Sequence, residues 1–310
     1  MSEPASFDVI VVGGGSAGLS AALALGRATR RVLVASDGAP RNAPADAAHN
    51  VFTRDGTPPL ELLRIGREQL EPYGVTIRSD RVVDARRDGK RFAVIFASGS
   101  QVSARGLILA IGMLDILPEI PGFQELWGSG VFHCPYCHGW EVARKPLGLY
   151  GRGDEAIRLS RLLRGWAADL VLFTDGPAEL APEDRAKIEK NGIVIREERI
   201  ERLVGSGHLE AIVLAGGESV ARAGLFIGPK LELRSDIAVR LGCQITPEGR
   251  IGADAVGRTS VPGVYVAGDA GPNPHAVSVA ASTGMLAGVF LNHDLLGEEF
   301  EARVAGLPMP

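Results

Sequence analysis

Apolar runs separated by glycine-rich turns open the chain. Residues 8–12 form a β-branched apolar run of strand length, and an Ala/Leu-rich segment from about 16 to 28 has the composition of a helix. A glycine cluster at 13–15 lies between them, and a second apolar run follows at 32–35. This order of strand, turn, helix and strand predicts a βαβ unit.

The pattern changes after the second strand. Residues 38–59 contain Pro, Gly, Asn and Asp with little periodicity, which predicts a long loop. A helical pattern returns at about 59–71. Short β-like runs then follow at 75–77, 82–85, 92–96 and 106–110.

A second unit of the same kind begins near the middle of the chain. A strand at 147–150 leads through a glycine turn into a helix that is predicted to end near Trp166, and a strand follows at 170–173. A buried strand at 264–269 and a small-residue helix from 276 to about 293 would complete the first unit. The pattern therefore predicts an α/β chain with two Rossmann-like (three-layer ββα) dinucleotide-binding domains, the second inserted into the first.

Composition and charge exclude several classes of function. The chain has 310 residues, of which 45% are hydrophobic and 23% are charged, as is typical of a soluble globular protein. Its net charge of −4 argues against a nucleic-acid or acidic-membrane partner. We find no apolar run of about 18 residues and no signal-peptide pattern, so we expect no membrane association and a cytoplasmic location. Glycine is in excess, with 40 residues, which points to tight turns and to backbone close to a ligand.

The first glycine turn carries a dinucleotide fingerprint. In Gly13-x-Gly15-x-x-Gly18 the first glycine permits the tight turn, the second lets the backbone approach a pyrophosphate, and the third allows helix–strand packing. The helix that follows offers free N–H groups to phosphate. Asp37 lies about 20 residues further on, where a ribose-binding carboxylate is expected. The alternative is a glycine turn in an unrelated α/β protein.

Gly151-x-Gly153-x-x-Ala156 is the alanine variant of that fingerprint. Two interpretations stay open here, a nicotinamide nucleotide site and a vestigial fold. The next strand ends in Phe-Thr-Asp-Gly, with no arginine to bind a 2′-phosphate. Asp175 in that segment would suit a ribose 2′-hydroxyl, which favours NADH over NADPH if either binds.

Cys134-Pro-Tyr-Cys137 is a C-x-x-C motif flanked by His133 and His138. In a cytosolic α/β protein the motif predicts a redox-active dithiol. The alternatives are a zinc site, which would need four ligands, and a pair of inert reduced cysteines. Cys243 is far away in sequence and is expected to be a buried apolar residue, so we expect no metal.

His138 is the candidate proton carrier. Disulfide exchange needs a thiolate attacker and a protonated leaving group, and a histidine that titrates near neutrality can serve both steps. The alternative is a solvent-facing loop histidine. His133 has a weaker case, whereas His49, His208 and His293 have the context of loop or surface residues.

Several motifs occur in an order that resembles one flavoprotein family. They are GGGSAGL at 13–19, LILAIG at 107–112, the C-x-x-C motif, the glycine turn at 151 and TSVPGVYVAGDA at 259–270. Over nearly its whole length the chain resembles the low-molecular-weight thioredoxin reductase family. The resemblance implies a homodimer in which residues 1–115 and 247–310 bind FAD. It also implies that residues 116–246 form an NAD(P)-binding-like domain carrying the cysteine pair.

The resemblance also implies roles for individual residues. By position, Asp269 would bind the ribityl or pyrophosphate region of FAD, and Asn50 would lie near the flavin. The residues implied to bind FAD are Gly13, Gly15, Ser16, Ala17, Gly18, Asp37, Arg41, Asn42, Asn50, Val83, Gly112, Gly268, Asp269, His275 and Ala276. The candidate residues for NADPH or NADH are Gly151, Gly153, Ala156 and Asp175.

Three departures from the family pattern indicate a divergent branch. His138 replaces the usual aspartate after the second cysteine, the strand before Asp175 lacks the arginines of a 2′-phosphate motif, and His275-Ala276 replaces Arg-Gln beside the flavin. The branch that the chain resembles includes gliotoxin- and holomycin-type dithiol oxidases and many reductase-like proteins. The segments that carry this likeness are CPYCHGWE at 134–141, RNAP at 41–44 and TRDGTPP at 53–59.

Three functions follow as hypotheses. In an FAD-dependent dithiol oxidase, a thiolate of a small-molecule dithiol would attack at Cys134, and a second thiol would resolve the mixed disulfide. Cys137 would then pass electrons to FAD and on to O₂, with His138 moving protons and His275 assisting near the flavin. The alternative is an NAD(P)H-dependent reductase of a thioredoxin-like protein or another disulfide. A minor alternative is a non-catalytic redox sensor.

The sequence leaves the thiol substrate unnamed. Apolar side chains near the cysteines could line a cleft for it, or could be ordinary core and rim residues. They are Val51, Phe52, Phe132, Tyr136 and Trp140.

Overall fold

Valine- and isoleucine-rich runs form the strands, and Ala/Leu-rich segments form the helices. The computed structural model describes residues 5–38 and 40–307. Its strands are β1 (Ser6–Val12), β2 (Val32–Ala35), β3 (Thr76–Arg78), β4 (Val82–Asp88), β5 (Arg91–Phe96), β6 (Gln101–Leu109), β7 (Met113–Ile116), β8 (Val131–Phe132), β9 (Leu147–Tyr150), β10 (Leu170–Phe173), β11 (Ile193–Arg196), β12 (Ile200–Gly205), β13 (Leu209–Leu214), β14 (Ser219–Ala221), β15 (Gly224–Ile227), β16 (Lys230–Leu233) and β17 (Val264–Val266). Its helices are α1 (Ser16–Arg27), α2 (Pro59–Glu68), α3 (Pro135–His138), α4 (Gly153–Leu163), α5 (Pro182–Lys190), α6 (Ile237–Arg240) and α7 (Val277–Val304).

The first sheet is built from both ends of the chain. Strands β3, β2, β1 and β6 lie side by side in parallel, and β17 joins the carboxyl half of β6. The amino half of β6 pairs instead with β5, which continues antiparallel into β4. The carboxyl ends of β1, β6 and β17 therefore meet at one edge, which is where ligands bind in open α/β sheets.

The second sheet comes entirely from the middle of the chain. Its order is β11-β10-β9-β15-β8, all parallel, and a separate antiparallel sheet is formed by β12, β13 and β14. Phe173 on β10 and Ile212 on β13 belong to one buried cluster, so the two sheets share a core. The predicted α/β class with two Rossmann-like units, one inserted in the other, is confirmed.

The chain crosses between the two units through a two-stranded ribbon. Strand β7 leaves the first unit and pairs antiparallel with β16, which returns to it; Met113 lies opposite Leu233. The predicted boundary at 115/116 falls inside β7. Ile237, Ala238 and Cys243 pack in the core of the first sheet, which favours a return before α6 rather than at 246/247. Cys243 is buried, as predicted.

Helix α7 is longer than its predicted end near residue 293. Glu299 is buried, and its carboxylate accepts hydrogen bonds at 2.5 Å from both Arg30 and Arg105. These contacts anchor the last turns to β6 and to the connection between α1 and β2, so the helix continues to Val304. The predicted helix at 59–71 is also divided, since α2 ends at Glu68 and a separate 3₁₀ turn follows. Within the described residues, no helix has the length and apolar character needed to cross a bilayer.

Candidate active site

The turn between β1 and α1 requires glycine. Gly13 has a φ of 112°, and a Cβ there would lie 2.2 Å from the carbonyl oxygen of Ala110. A Cβ on Gly18 would lie 1.9 Å from the carbonyl oxygen of Gly13, whereas one on Gly15 would meet open space. Helix α1 begins after Gly15 with no side-chain cap, so its first N–H groups are free to bind a phosphate.

One cavity of about 560 Å³ extends from this glycine turn to the cysteine pair. It is formed by the carboxyl ends of the first sheet, the loop that follows β2, and α3. The residues predicted to bind FAD that line it are Gly13, Gly15, Ser16, Ala17, Asp37, Arg41, Asn42, Asn50, Gly112, Gly268, Asp269, His275 and Ala276. The structure therefore brings the dinucleotide fingerprint and the redox motif into one site.

The two cysteines of the C-x-x-C motif form a disulfide with Cα atoms 5.3 Å apart. Cys134 is extended and precedes α3, and Pro135 occupies the first turn of that helix, where its missing N–H costs nothing. Both cysteines line the cavity, so a thiolate that enters it can reach the bond. Across the described ranges, no group of three or more His, Cys, Asp and Glu side chains is arranged to hold a metal ion.

His138 lies at the end of α3 with its ring stacked on Phe132, the centroids 4.8 Å apart. Both ring nitrogens are buried and have no hydrogen-bond partner within the described part of the chain. Burial lowers the pKa of His138, although the charge of Glu141 opposes the shift. The imidazole is therefore neutral at pH 7 and has a free lone pair that can accept a thiol proton.

His133 also lines the cavity, next to the disulfide. Its ring stacks on Trp127, and burial, reinforced by the charge of Arg41, lowers its pKa to about 3. His133 is thus a neutral residue of the cavity lining. This environment is consistent with the expectation that His133 is a weaker candidate proton carrier than His138.

Arg41 is the centre of a charged cluster that also lines the cavity. Its guanidinium donates to both oxygens of Asp115, at 2.7 and 2.5 Å, and to Asp269 at 3.1 Å. Its Nη1 atom also lies 2.6 Å from Nδ1 of His275. Burial lowers the pKa of Arg41, but the hydrogen bonds and charge of Asp115 outweigh that effect and raise it. Asp115 was not predicted, because no local motif marks it.

The loop after β2 contacts the cysteine helix directly. Asn50, in the left-handed region with a φ of 58°, donates to the carbonyl oxygen of Tyr136 at 2.6 Å. His49 lies between Asp55 and Glu141, 3.3 Å from each. His49 lies in a loop, as expected, and is half-buried there. The contacts of Asn50 and His49 hold the loop after β2 against α3 and the residues that follow it, next to the disulfide.

Comparison with known proteins assigns the chain to a family. The family model of pyridine nucleotide-disulphide oxidoreductases matches residues 7–284. The chain belongs to this family. It is 32% identical over 320 residues to thioredoxin reductase sirT of Leptosphaeria maculans, covering 97% of this chain and 98% of that protein. It is 31% identical to thioredoxin reductase aclD of Aspergillus oryzae, covering 94% and 98% of the two chains.

Solved structures of this oxidoreductase family agree with the fold. The structure of HlmI superposes with a TM-score of 0.93 at 39% identity, covering 97% of this chain and 96% of that one. An oxidoreductase from Agrobacterium tumefaciens gives a TM-score of 0.89 at 37% identity, covering 95% and 100%. These relatives confirm the resemblance to thioredoxin reductase-like flavoproteins, and the chain is an enzyme that acts on sulfur groups.

In this oxidoreductase, side chains of the protein itself form hydrogen bonds across the second glycine turn and the end of β10 next to it. Arg152 donates to the carbonyl oxygens of Thr174 and Asp175, so its guanidinium lies over the end of β10. The carboxylate of Asp175 accepts from the backbone N–H of Ile200 at 2.8 Å and from Arg199 at 3.1 Å. The carboxylate predicted to bind a ribose is therefore already hydrogen-bonded within the protein. Arginines do lie at this strand end, although the local sequence shows none.

The remaining residues of the two predicted sets are placed as follows. Gly151, Gly153 and Ala156 form the second turn and the start of α4, and Gly18 packs against Gly13. Val83 lies in β4, where its carbonyl oxygen accepts a hydrogen bond from Arg240 at 2.6 Å, so its FAD role stays a prediction. His208 and His293 are exposed, as expected. Among the candidate cleft residues, Tyr136 and Phe132 line the cavity, whereas Phe52 and Trp140 are 93% and 83% exposed.

Proposed function

We propose that this protein is an FAD-dependent dithiol oxidase that converts a small-molecule dithiol to a disulfide, with O₂ as the final acceptor. The observation that carries the proposal is the shared cavity, which holds the glycine turn at one end and the disulfide with His138 at the other. The relatives named thioredoxin reductase and the HlmI structure support thiol or disulfide chemistry.

The residues around the cavity fit FAD. The uncapped start of α1 offers N–H groups to a pyrophosphate, and Asp37, exposed at the end of β2, can bind a ribose. Asp269 at the end of β17 accepts one bond from Arg41 and lines the cavity, where it can accept others. Bound FAD would supply the two-electron acceptor that regenerates the protein disulfide and delivers the electrons to O₂, giving peroxide.

The protein's own residues carry the thiol exchange. A substrate thiol gives its proton to His138, and the thiolate attacks Cys134, so that a mixed disulfide forms and Cys137 leaves as a thiolate. The second substrate thiol gives its proton to the Cys137 thiolate and attacks the substrate sulfur of the mixed disulfide, which releases Cys134; the released Cys134 takes up the proton that His138 holds. The substrate loses two electrons and two protons, and the cysteine pair gains the two electrons.

The alternative function is an NAD(P)H-dependent reductase of a thioredoxin-like protein or another disulfide. The observation that favours it is the second glycine turn, which folds as a nucleotide loop, with Gly153 at a φ of 51°. The positions of Arg152 and Asp175 weigh against it, because both are already engaged with the backbone. A cytoplasmic homodimer belongs to the proposal, supported by the family resemblance; sedimentation of the purified protein tests the dimer.

An anaerobic titration of the flavin-loaded protein tests the proposal. We expect a small dithiol to bleach the flavin absorbance rapidly and air to restore it, while NADH and NADPH leave it unchanged. Rapid bleaching by either nucleotide would establish the reductase. Slow reduction by every dithiol, with no turnover in air, would establish the sensor.

A further inference from the structure

The ring of His275 is held by a chain of charged groups. Asp115 accepts two hydrogen bonds from Arg41, through Nε at 2.7 Å and Nη2 at 2.5 Å, and this bidentate pair fixes the plane of the guanidinium. The Nη1 atom on its far side lies 2.6 Å from Nδ1 of His275 and 3.1 Å from Asp269. Arg41 is therefore immobilised with one N–H aimed at the imidazole.

This contact determines where the proton of His275 lies. A guanidinium can only donate hydrogen bonds, so the Nδ1 atom that faces Arg41 must accept one. A neutral imidazole has a single N–H, which must then be at Nε2. Burial lowers the pKa of His275, Asp269 opposes that shift and Arg41 adds to it, so the ring stays neutral near pH 7.

The Nε2 atom is buried and has no partner in the described part of the protein, and His275 lines the cavity proposed to bind FAD. We infer that Arg41 and Asp115 are positioning residues that hold His275 as the Nε2–H tautomer, so that His275 donates a hydrogen bond to the bound flavin. The inference rests on the proposed function and deepens it.

The two site histidines then have different tasks. Neither ring nitrogen of His138 has a partner within the described ranges, so the one lone pair of the neutral ring is free to accept a proton. His275 has its lone pair engaged by Arg41 and cannot accept a proton without losing that bond. The thiol proton therefore goes to His138. His275 assists near the flavin only as a hydrogen-bond donor.

Long-range ¹H–¹⁵N NMR of histidine-labelled protein tests the tautomer directly. Spectra are recorded at pH 7 for flavin-loaded and flavin-stripped protein, with the His275 signals assigned by their loss in His275→Gln. We expect Nε2–H in both forms, with an Nδ1–H population appearing in Arg41→Met and, to a smaller extent, in Asp115→Asn. The exposed His293 is an internal reference. An Nδ1–H tautomer in the parent protein, or an unchanged tautomer in Arg41→Met, overturns the inference.

FAD binding to stripped protein tests the donor role. We expect His275→Ala to weaken binding about tenfold, and His275→Gln, whose amide keeps a donor, by about threefold or less. Equal weakening in the two variants, or none, would overturn donation to the flavin. A parent protein that never binds FAD would instead overturn the proposed function, and the tautomer measured in stripped protein would still test the part played by Arg41.

Discussion

The chain contains two glycine turns of the same pattern, and they end in different surroundings. Both helices that follow the turns begin without a side-chain cap, but the turn at 13–18 opens on a cavity that also contains a ribose-type carboxylate and a disulfide. The turn at 151–156 leads to a helix whose first turn carries Asp154 and Glu155, and Arg152 lies over the adjacent strand end. Carboxylates beside a helix N-terminus repel a phosphate, although Arg158, 2.6 Å from Glu155, partly neutralises the second of them. The glycine spacing thus specifies the fold of the turn, whereas the residues between the glycines give the two turns different chemistry.

The largest expected difference between the two turns follows from replacing the first glycine of each turn with alanine. Gly13→Ala places a Cβ 2.2 Å from a backbone oxygen at a φ of 112°, so we expect loss of bound flavin and destabilisation of about 3 kcal/mol or more. Gly151→Ala is the matched variant, since its Cβ would lie 3.1 Å from the flexible Glu155 side chain. Flavin absorbance per chain and thermal unfolding measure both. Equal losses from the two substitutions would contradict the comparison.

His138 gives the next largest effect, and it concerns the first site alone. We expect His138→Ala and His138→Phe to slow dithiol exchange about 10²- to 10³-fold with flavin content unchanged, because both remove the proton acceptor. Stopped-flow reduction of the flavin by dithiol measures this rate, with exposed His208→Ala as the control. Since burial lowers the pKa of His138, the parent rate should persist as pH falls through 6.5. An unchanged rate in His138→Phe would remove its assigned role.

His133 should make the first site sensitive to acid. Below pH 6.5 the unfolded chain protonates His133, whereas burial keeps the folded residue neutral until about 3, so unfolding becomes more favourable as pH falls. One such group costs about 2 kcal/mol between pH 7 and 5. We expect His133→Phe to lose that slope in urea unfolding, whereas Arg152→Ala in the second turn should keep it. An identical slope in His133→Phe would contradict the burial argument.

Arg152 offers the smallest and most informative change. Replacing it with alanine removes hydrogen bonds to two carbonyl oxygens, for which we expect a cost of about 1 kcal/mol. Nucleotide binding, measured by calorimetry with NADH and NADPH, should stay undetectable, because Asp154, Glu155 and the engaged Asp175 remain. Tight binding in Arg152→Ala would show that this one side chain closes the second turn.

The sequence predicts the parts of the site that depend on nearby residues. The Gly13 turn and the Cys134–Cys137 pair are local patterns with fixed geometry, and both occur as predicted. The partners of Arg41 lie 74 residues away at Asp115 and 234 away at His275, and the fold alone brings them together. The engagement of Asp175 also depends on a backbone N–H 25 residues further along. Periodicity carries no information about such contacts.

The ribbon formed by β7 and β16 has a mechanical consequence. Because the outgoing and returning segments are hydrogen-bonded to each other, they form one two-stranded connection that is stiffer than two separate linkers. Any rotation of the inserted unit about that ribbon would break the hydrogen bond from Asn50 to the Tyr136 carbonyl and the contact between His49 and Glu141. If a protease cleaved either segment, we expect the two fragments to remain associated under native conditions and to separate only in denaturant.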